Sequence, residues 1–223
     1  MSDAIILAAG LTQGATLVVT CEVRYNPSNS LSGGPKRFRG IFHQVCIPAL
    51  RCLTARIWKI ESARRLMRIL IDLVSQTLEL KEQGRLLSQY PVSTGLNGPG
   101  EAQDSGCTPR GLHRVRIRIG AGCPEGAVFV GRRATGEVYD ARLARQYPDR
   151  DWVLTRILWL TGLEPGRNRG GCVDTLRRYI YIHGCPDSEP MGIPRSHGCI
   201  RMRNSDLIEL CDLVPTETEV QIL

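Results

Sequence analysis

The chain has 223 residues, 42% of them hydrophobic and 23% charged, with a formal net charge of +7. That is long enough for one well-buried domain with an extension and too apolar for a disordered chain, and no apolar run approaches the roughly 20 residues of a membrane-spanning helix. Residues 1–66 carry nine Lys/Arg against three Asp/Glu, whereas residues 67–223 carry 20 against 19; the basicity therefore belongs to the first segment, and a nearly neutral remainder argues against a nucleic-acid-binding core, which would show a basic face of its own.

Residues 1–66 show no periodic core pattern. "AIILAAGLTQGATLVV" is apolar but interrupted by Gly and Gln, and the "MSD" before it is acidic where a signal peptide wants positive charge. "RYNPSNSLSGGPKRFRG" is rich in turn formers and basic residues and reads as loop or disorder. The expected organisation is a basic N-terminal extension over 1–66, disordered or a mis-assigned start, followed by a domain over 67–223 that opens at Met67. The nine cysteines are odd in number and irregularly spaced. They offer no disulfide framework, and most read as small buried hydrophobes.

From Met67 the signal is β. "MRILIDL" opens a clean strand, and the stretch through "YPVSTG" predicts two or three short strands with turns at Ser75-Gln76 and Gln83-Gly84. In "LHRVRIRIG" His113, Val115, Ile117 and Ile119 alternate with Arg114, Arg116 and Arg118, an arginine face that suits an anion or, more often, simply solvent. "AVFVGR" and "GEVYD" are short strands, and "WVLTRILWLTGLE" is apolar on both faces, as a central strand requires. "RRYIYIHG" places Tyr179, Tyr181 and His183 on one face and Ile180 and Ile182 on the other. "NSDLIELCDLV" is the one late helix, with Asn204 or Ser205 as its cap and Leu207, Ile208, Cys211 and Val214 as its apolar stripe. Pro215 ends it, and "TETEVQIL" is a last strand. The fold class is mostly β with one late helix.

The chemistry concentrates in "HGCPDSEPMGIPRSHGCIRM", residues 183–202. His183, Cys185, His197 and Cys199 are the right ligand types for zinc, but one intervening residue within each pair is closer than structural zinc sites use. The stronger reading is nucleophilic. A thiol is mostly protonated at neutral pH and needs an imidazole in reach, held by a third group. A strand ending at His183 and a loop returning to Cys199 bring the two together. Gly198 permits a tight turn, from which the amides of His197, Gly198 and Cys199 converge as an oxyanion hole requires. Cys21, Cys46, Cys52, Cys107, Cys123, Cys172 and Cys211 read as inert core, and His43 and His113 as locally satisfied histidines.

This segment resembles the signature of the L,D-transpeptidase catalytic domain (the YkuD type): a His-Gly, a Gly-containing loop, then Ser/Thr-His-Gly-Cys, an apolar residue and Arg. "YPVSTG" and "CTPRGLHRV" extend the resemblance upstream, and the helix and final strand extend it downstream, over roughly 67–223. It implies a β-sandwich-like domain acting on peptidoglycan stem peptides, with no metal or cofactor. Cys199 is then similar to the family's nucleophile and His183 to its general base, oriented by the Gly184 carbonyl. His197, Gly198 and Ser196 build or support the oxyanion hole. Arg201 holds the loop or a substrate carboxylate, and Tyr181 lines the acyl-donor cleft.

The implied reaction is attack of Cys199 on the carbonyl between diaminopimelate and the terminal D-Ala, giving a thioester. An amine of a second stem resolves it to a 3→3 cross-link, a protein lysine to wall anchoring, and water to L,D-carboxypeptidase activity. Carbapenem-type β-lactams are the expected inhibitors, and the periplasm or cell wall the expected compartment, although no convincing export signal accompanies it. Cys185 departs from the small hydroxyl residue common in the family. It is either harmless or a disulfide partner that silences Cys199.

Overall fold

The computed structural model describes residues 67–223, and the expected extension over 1–66 lies outside the described residues. Strands β1 (Met67–Asp72), β2 (Thr77–Glu82) and β3 (Arg85–Pro91) form an antiparallel meander. Its first turn is tied by Asp72, whose carboxylate accepts from the amides of Val74 (2.8 Å) and Ser75 (3.0 Å). Its second is the two-residue Gln83-Gly84 turn, with φ of +52° and +81°. Positive φ at both central residues twists the hairpin with its strands. Alternation then buries Ile69, Ile71, Leu78 and Leu80 completely.

β4 (Gly111–Ile119), β5 (Ala127–Val130), β6 (Arg133–Val138), β7 (Val153–Gly162) and β10 (Glu219–Ile222) complete the main path of a ten-stranded sheet, in the order β3-β2-β1-β10-β4-β7-β5-β6. The apolar β7 is central as expected. It also pairs with β8 (Tyr181–Gly184), which in turn pairs in parallel with β9 (Ile200–Met202). The sheet curls until Ser93, just beyond β3, exchanges backbone hydrogen bonds of 3.0 and 2.9 Å with Arg201 in β9. The resulting domain is β-sandwich-like, and the main helix α2 (Asn204–Leu213) packs Leu207, Leu210 and Cys211 into the same core as Ile182, Ile200 and Met202. No helix among the described residues is long and apolar enough to cross a membrane.

Three expectations change. The alternation in β4 is not strict: the register shifts between Val115 and Ile117, leaving Ile117 39% exposed. The arginine face of that strand is not an anion site, because Arg114 and Arg116 pair with Glu217 and Arg118 donates to the Cys211 carbonyl at the end of α2. Neither Asn204 nor Ser205 caps α2. The helix begins at Asn204, whose buried amide accepts from the Thr155 hydroxyl (2.6 Å) and donates to the Cys185 carbonyl (3.0 Å). A second, short helix α1 (Ala141–Gln146) follows β6, capped by Asp140, which accepts from the Leu143 amide.

His113 is the locally satisfied histidine the sequence suggests. It is fully buried, with Nδ1 at 3.0 Å from the Gly111 carbonyl and Nε2 at 3.1 Å from the Thr175 hydroxyl. Burial lowers its pKa from 6.5 to about 4, with the Gly111 bond working against that. Between these values the unfolded chain binds the proton and the folded chain does not, so stability is complete above pH 6.5 and falls as pH drops toward 4. The loss from this group is about 3 kcal/mol. Urea unfolding between pH 7 and 4 is expected to show it, and His113→Gln to flatten that part of the curve. An unchanged slope in a folded His113→Gln would contradict the assignment.

Candidate active site

The parallel pairing of β8 with β9 sets the site. His183 lies opposite Arg201, Ile182 opposite Ile200 and Gly184 opposite Met202. Side chains alternate across a strand, so Ile182, Ile200 and Met202 enter the core while His183 and Arg201 share the other face, with Tyr181 and Cys199 two residues before them. Gly184 permits this packing: a Cβ there would lie 2.8 Å from the Leu154 carbonyl oxygen and closer still to the Asn204 side chain.

The Cys199 thiol donates to the Tyr179 carbonyl (3.3 Å) and accepts from the Tyr181 amide (3.4 Å). Burial pushes this thiol up to about 12, against the pull of the Tyr181 amide. It therefore rests as a neutral S–H. His183 is buried too, and burial holds its imidazole below the ordinary histidine value. Its Nδ1 is 2.9 Å from the Gly184 carbonyl. A carbonyl only accepts, so Nδ1 carries the proton and Nε2 keeps a lone pair. The ring is thus neutral, oriented and able to take a proton at Nε2.

The turn before Cys199 is fixed by two hydroxyls. Ser196 Oγ donates to the Cys199 carbonyl (2.5 Å) and accepts from the Gly198 amide (3.1 Å). Thr108 Oγ1 donates to the Gly198 carbonyl (3.0 Å) and accepts from the Gly95 amide (2.8 Å). Gly198 has φ of +120°, and a Cβ there would lie 2.9 Å from the Cys107 carbonyl oxygen. Ser196 and Gly198 thus support the turn, but the Gly198 amide is spent on Ser196 and is not a free oxyanion donor.

Arg201 is nearly buried, and its guanidinium is neutralised by Asp151 (2.6 Å) and Glu189 (3.0 Å). Of its two expected roles, holding the loop is the one these contacts perform; a substrate carboxylate would have to displace an internal one. His197 is largely exposed, and its Nδ1 sits 2.9 Å from the other Asp151 oxygen. Asp151 therefore clamps the chain two residues before and two residues after Cys199. Burial works to raise the Asp151 carboxyl, but the His197 hydrogen bond and the Arg201 charge together hold it below the usual range.

Tyr181 is buried, its ring edge-on to Trp159 (5.6 Å) and 6.5 Å from the His183 ring. Tyr179 shares this side of the molecule but lies outside β8, half exposed, with φ of +58°.

The zinc arrangement does not form. Cys185 is buried and donates to the Met202 carbonyl (3.5 Å), His197 turns to Asp151, and no three metal-ligating side chains converge among the described residues. A Cys185–Cys199 disulfide is also ruled out without backbone movement. Cys199 lies beside Tyr181 and Cys185 four positions further along the ribbon, about 13 Å at strand rise, beyond the reach of about 7 Å between bridged Cα atoms.

Sequence reasoning missed Asp151, the Tyr179 carbonyl and the role of Thr108. It also missed Arg178, which donates to the carbonyls of Gly100, Glu101 and Cys107 and so pins the loop that carries Thr108. Thr108 alone had a signal, within "CTPRG".

Residues 67–222 match the family model described as the L,D-transpeptidase catalytic domain. A curated relative from Bacillus licheniformis, named "Putative L,D-transpeptidase YkuD", is 28% identical over 156 residues, covering 70% of this chain; the chain spans 64% of that relative's length. Among solved structures, the L,D-transpeptidase of Xylanimonas cellulosilytica (residues 123–326) is similar at 22% identity and a TM-score of 0.42, covering 70% of this chain and 60% of that one. L,D-transpeptidase 3 of Mycobacterium tuberculosis, solved with a faropenem-derived adduct, is similar at 17% identity and a TM-score of 0.44, over 70% and 60% of the two chains. The family model spans the sheet, the ribbon carrying His183 and Cys199, and the main helix, and the chain belongs to the L,D-transpeptidase catalytic domain family.

Proposed function

We propose that this chain is a cysteine-dependent L,D-transpeptidase acting on peptidoglycan stem peptides. The observation that carries the reading is geometric: Cys199 and His183 share one face of a parallel ribbon, and the Gly184 carbonyl holds His183 Nδ1 at 2.9 Å, which leaves Nε2 with its lone pair. As Cys199 Sγ bonds to the carbonyl carbon between diaminopimelate and D-Ala, its proton passes to His183 Nε2. The oxyanion forms against the amides of Cys199 and His197. Collapse breaks the C–N bond, and His183 returns the proton to the departing D-Ala amine. The thioester is then attacked by a side-chain amine of a second stem, whose proton goes to His183 and on to the leaving sulfur. These steps need no metal or cofactor.

A β-lactam of the carbapenem type presents an acylating carbonyl to the same thiol and is proposed to block it. Because peptidoglycan lies outside the cytoplasmic membrane, the periplasm or cell wall is the proposed place of action. The alternative kept is L,D-carboxypeptidase activity, in which water resolves the same thioester.

Incubating the full chain with disaccharide-tetrapeptide and resolving products by mass tests this. Free D-Ala with 3→3 dimers is expected. Tripeptide without dimers would favour the carboxypeptidase, and no D-Ala release by folded protein would overturn both.

A further inference from the structure

The β5–β6 hairpin turns through Gly131 and Arg132, with φ of +54° and +67°. That turn carries the Arg132 guanidinium over two aromatic faces, 5.1 Å from the Trp159 centroid and 4.6 Å from that of Tyr179. The shelf is itself fixed: the Trp159 indole donates to the Leu176 carbonyl (3.1 Å), and Tyr181 packs edge-on against the same ring. Trp159 and Tyr179 also line a cleft of about 420 Å³ with Gln103, Leu176 and Arg177. The Tyr179 carbonyl also accepts from the Cys199 thiol, so one residue both lines this cleft and contacts Cys199.

Arg132 differs from Arg201 in one decisive respect. Arg201 is neutralised by two carboxylates, whereas Arg132 has no carboxylate within salt-bridge distance among the described residues. Stacking on aromatic rings orients a guanidinium without cancelling its charge; the Tyr181 hydroxyl is within reach of one side of the Arg132 fork, and a guanidinium's five donors leave others for a ligand. A fixed, partly exposed cation of this kind matches a carboxylate, which accepts two parallel N–H bonds. Peptidoglycan stems supply carboxylates on the terminal D-Ala and on the diaminopimelate side chain.

We propose that Arg132, held on the Trp159–Tyr179 shelf, is the specificity residue that binds a carboxylate of the acyl donor. This rests on the transpeptidase reading.

The test measures D-Ala release (or release of its amide) by wild type, Arg132→Gln and Arg132→Lys on three tetrapeptide donors: unmodified, amidated on the diaminopimelate side chain, and amidated on the terminal D-Ala. Arg132→Gln is expected to raise KM for the unmodified donor on the order of 10- to 100-fold with kcat little changed, the effect of a lost hydrogen bond between charged groups. One of the two amidations should cost wild type a similar factor and cost Arg132→Gln almost nothing, which identifies the carboxylate. Arg132→Lys should retain part of the preference.

If Arg132→Gln penalises all three donors equally, or changes none, the carboxylate role is overturned while the transpeptidase reading stands. If wild type turns over none of them, the transpeptidase reading fails and the proposal with it.

Discussion

His183→Ala is expected to slow acylation of Cys199 by about 10² to 10⁴-fold near neutral pH, the usual cost of losing a general base. The size follows from the resting state of the sulfur. With burial pushing the thiol up to about 12, very little of it is thiolate at neutral pH. Without a base the reaction waits on that fraction, so the variant's rate should climb with pH toward the thiol's own ionisation. The parent should behave differently. Burial holds the His183 pKa below its ordinary 6.5, so the ring stays unprotonated and able to accept a proton across the neutral range. The parent rate should be flat there and fall only on the acid side. His197→Ala should keep that profile, because its ring faces Asp151 rather than the sulfur. Stopped-flow acylation across pH on both folded variants checks this, and a larger loss in His197→Ala would reverse the assignment of the base.

Gly198→Ala is the second large effect. The new methyl would sit 2.9 Å from the Cys107 carbonyl oxygen, at φ of +120°. Strained backbone of this kind costs of order 1–3 kcal/mol. The loop can relieve the clash only by moving, and it is the loop that aims Cys199. A displacement near 1 Å costs about 10²-fold in rate. Thermal unfolding and acylation measured together should show both losses. A folded Gly198→Ala that acylates at the parent rate would show that the turn does not set the position of the nucleophile.

Most of what positions these residues was legible in the sequence because the site sits on a strand pair. Period-two alternation in "YIYIHG" put Tyr179, Tyr181 and His183 on the face opposite Ile180 and Ile182; the strand at 181–184 keeps this for Tyr181, Ile182 and His183, whereas Tyr179 precedes it with φ of +58°. The meander also followed directly, since Gln83-Gly84 marks its own turn. What failed was tertiary. The bulge after Val115 in β4 depends on how that strand fits β7, and no local residue announces it. Asn204 reads as a helix cap, yet it bridges Thr155 and Cys185 because buried partners outbid the exposed helix end. Asp151 lies 48 positions before Cys199 in an unremarkable polar loop; only the folded chain places it between His197 and Arg201. The Tyr179 carbonyl is a backbone group and leaves no mark in a sequence at all.

The central claim is that Cys199 is the acylated nucleophile, and the most direct measurement is the intact mass of the full chain after incubation with a carbapenem. The parent should gain the mass of one drug molecule, located by peptide mapping to the fragment containing Cys199, and Cys199→Ala should gain none. An adduct on Cys107, Cys123, Cys172, Cys185 or Cys211 instead, or no adduct on protein that turns over stem peptides, would contradict it.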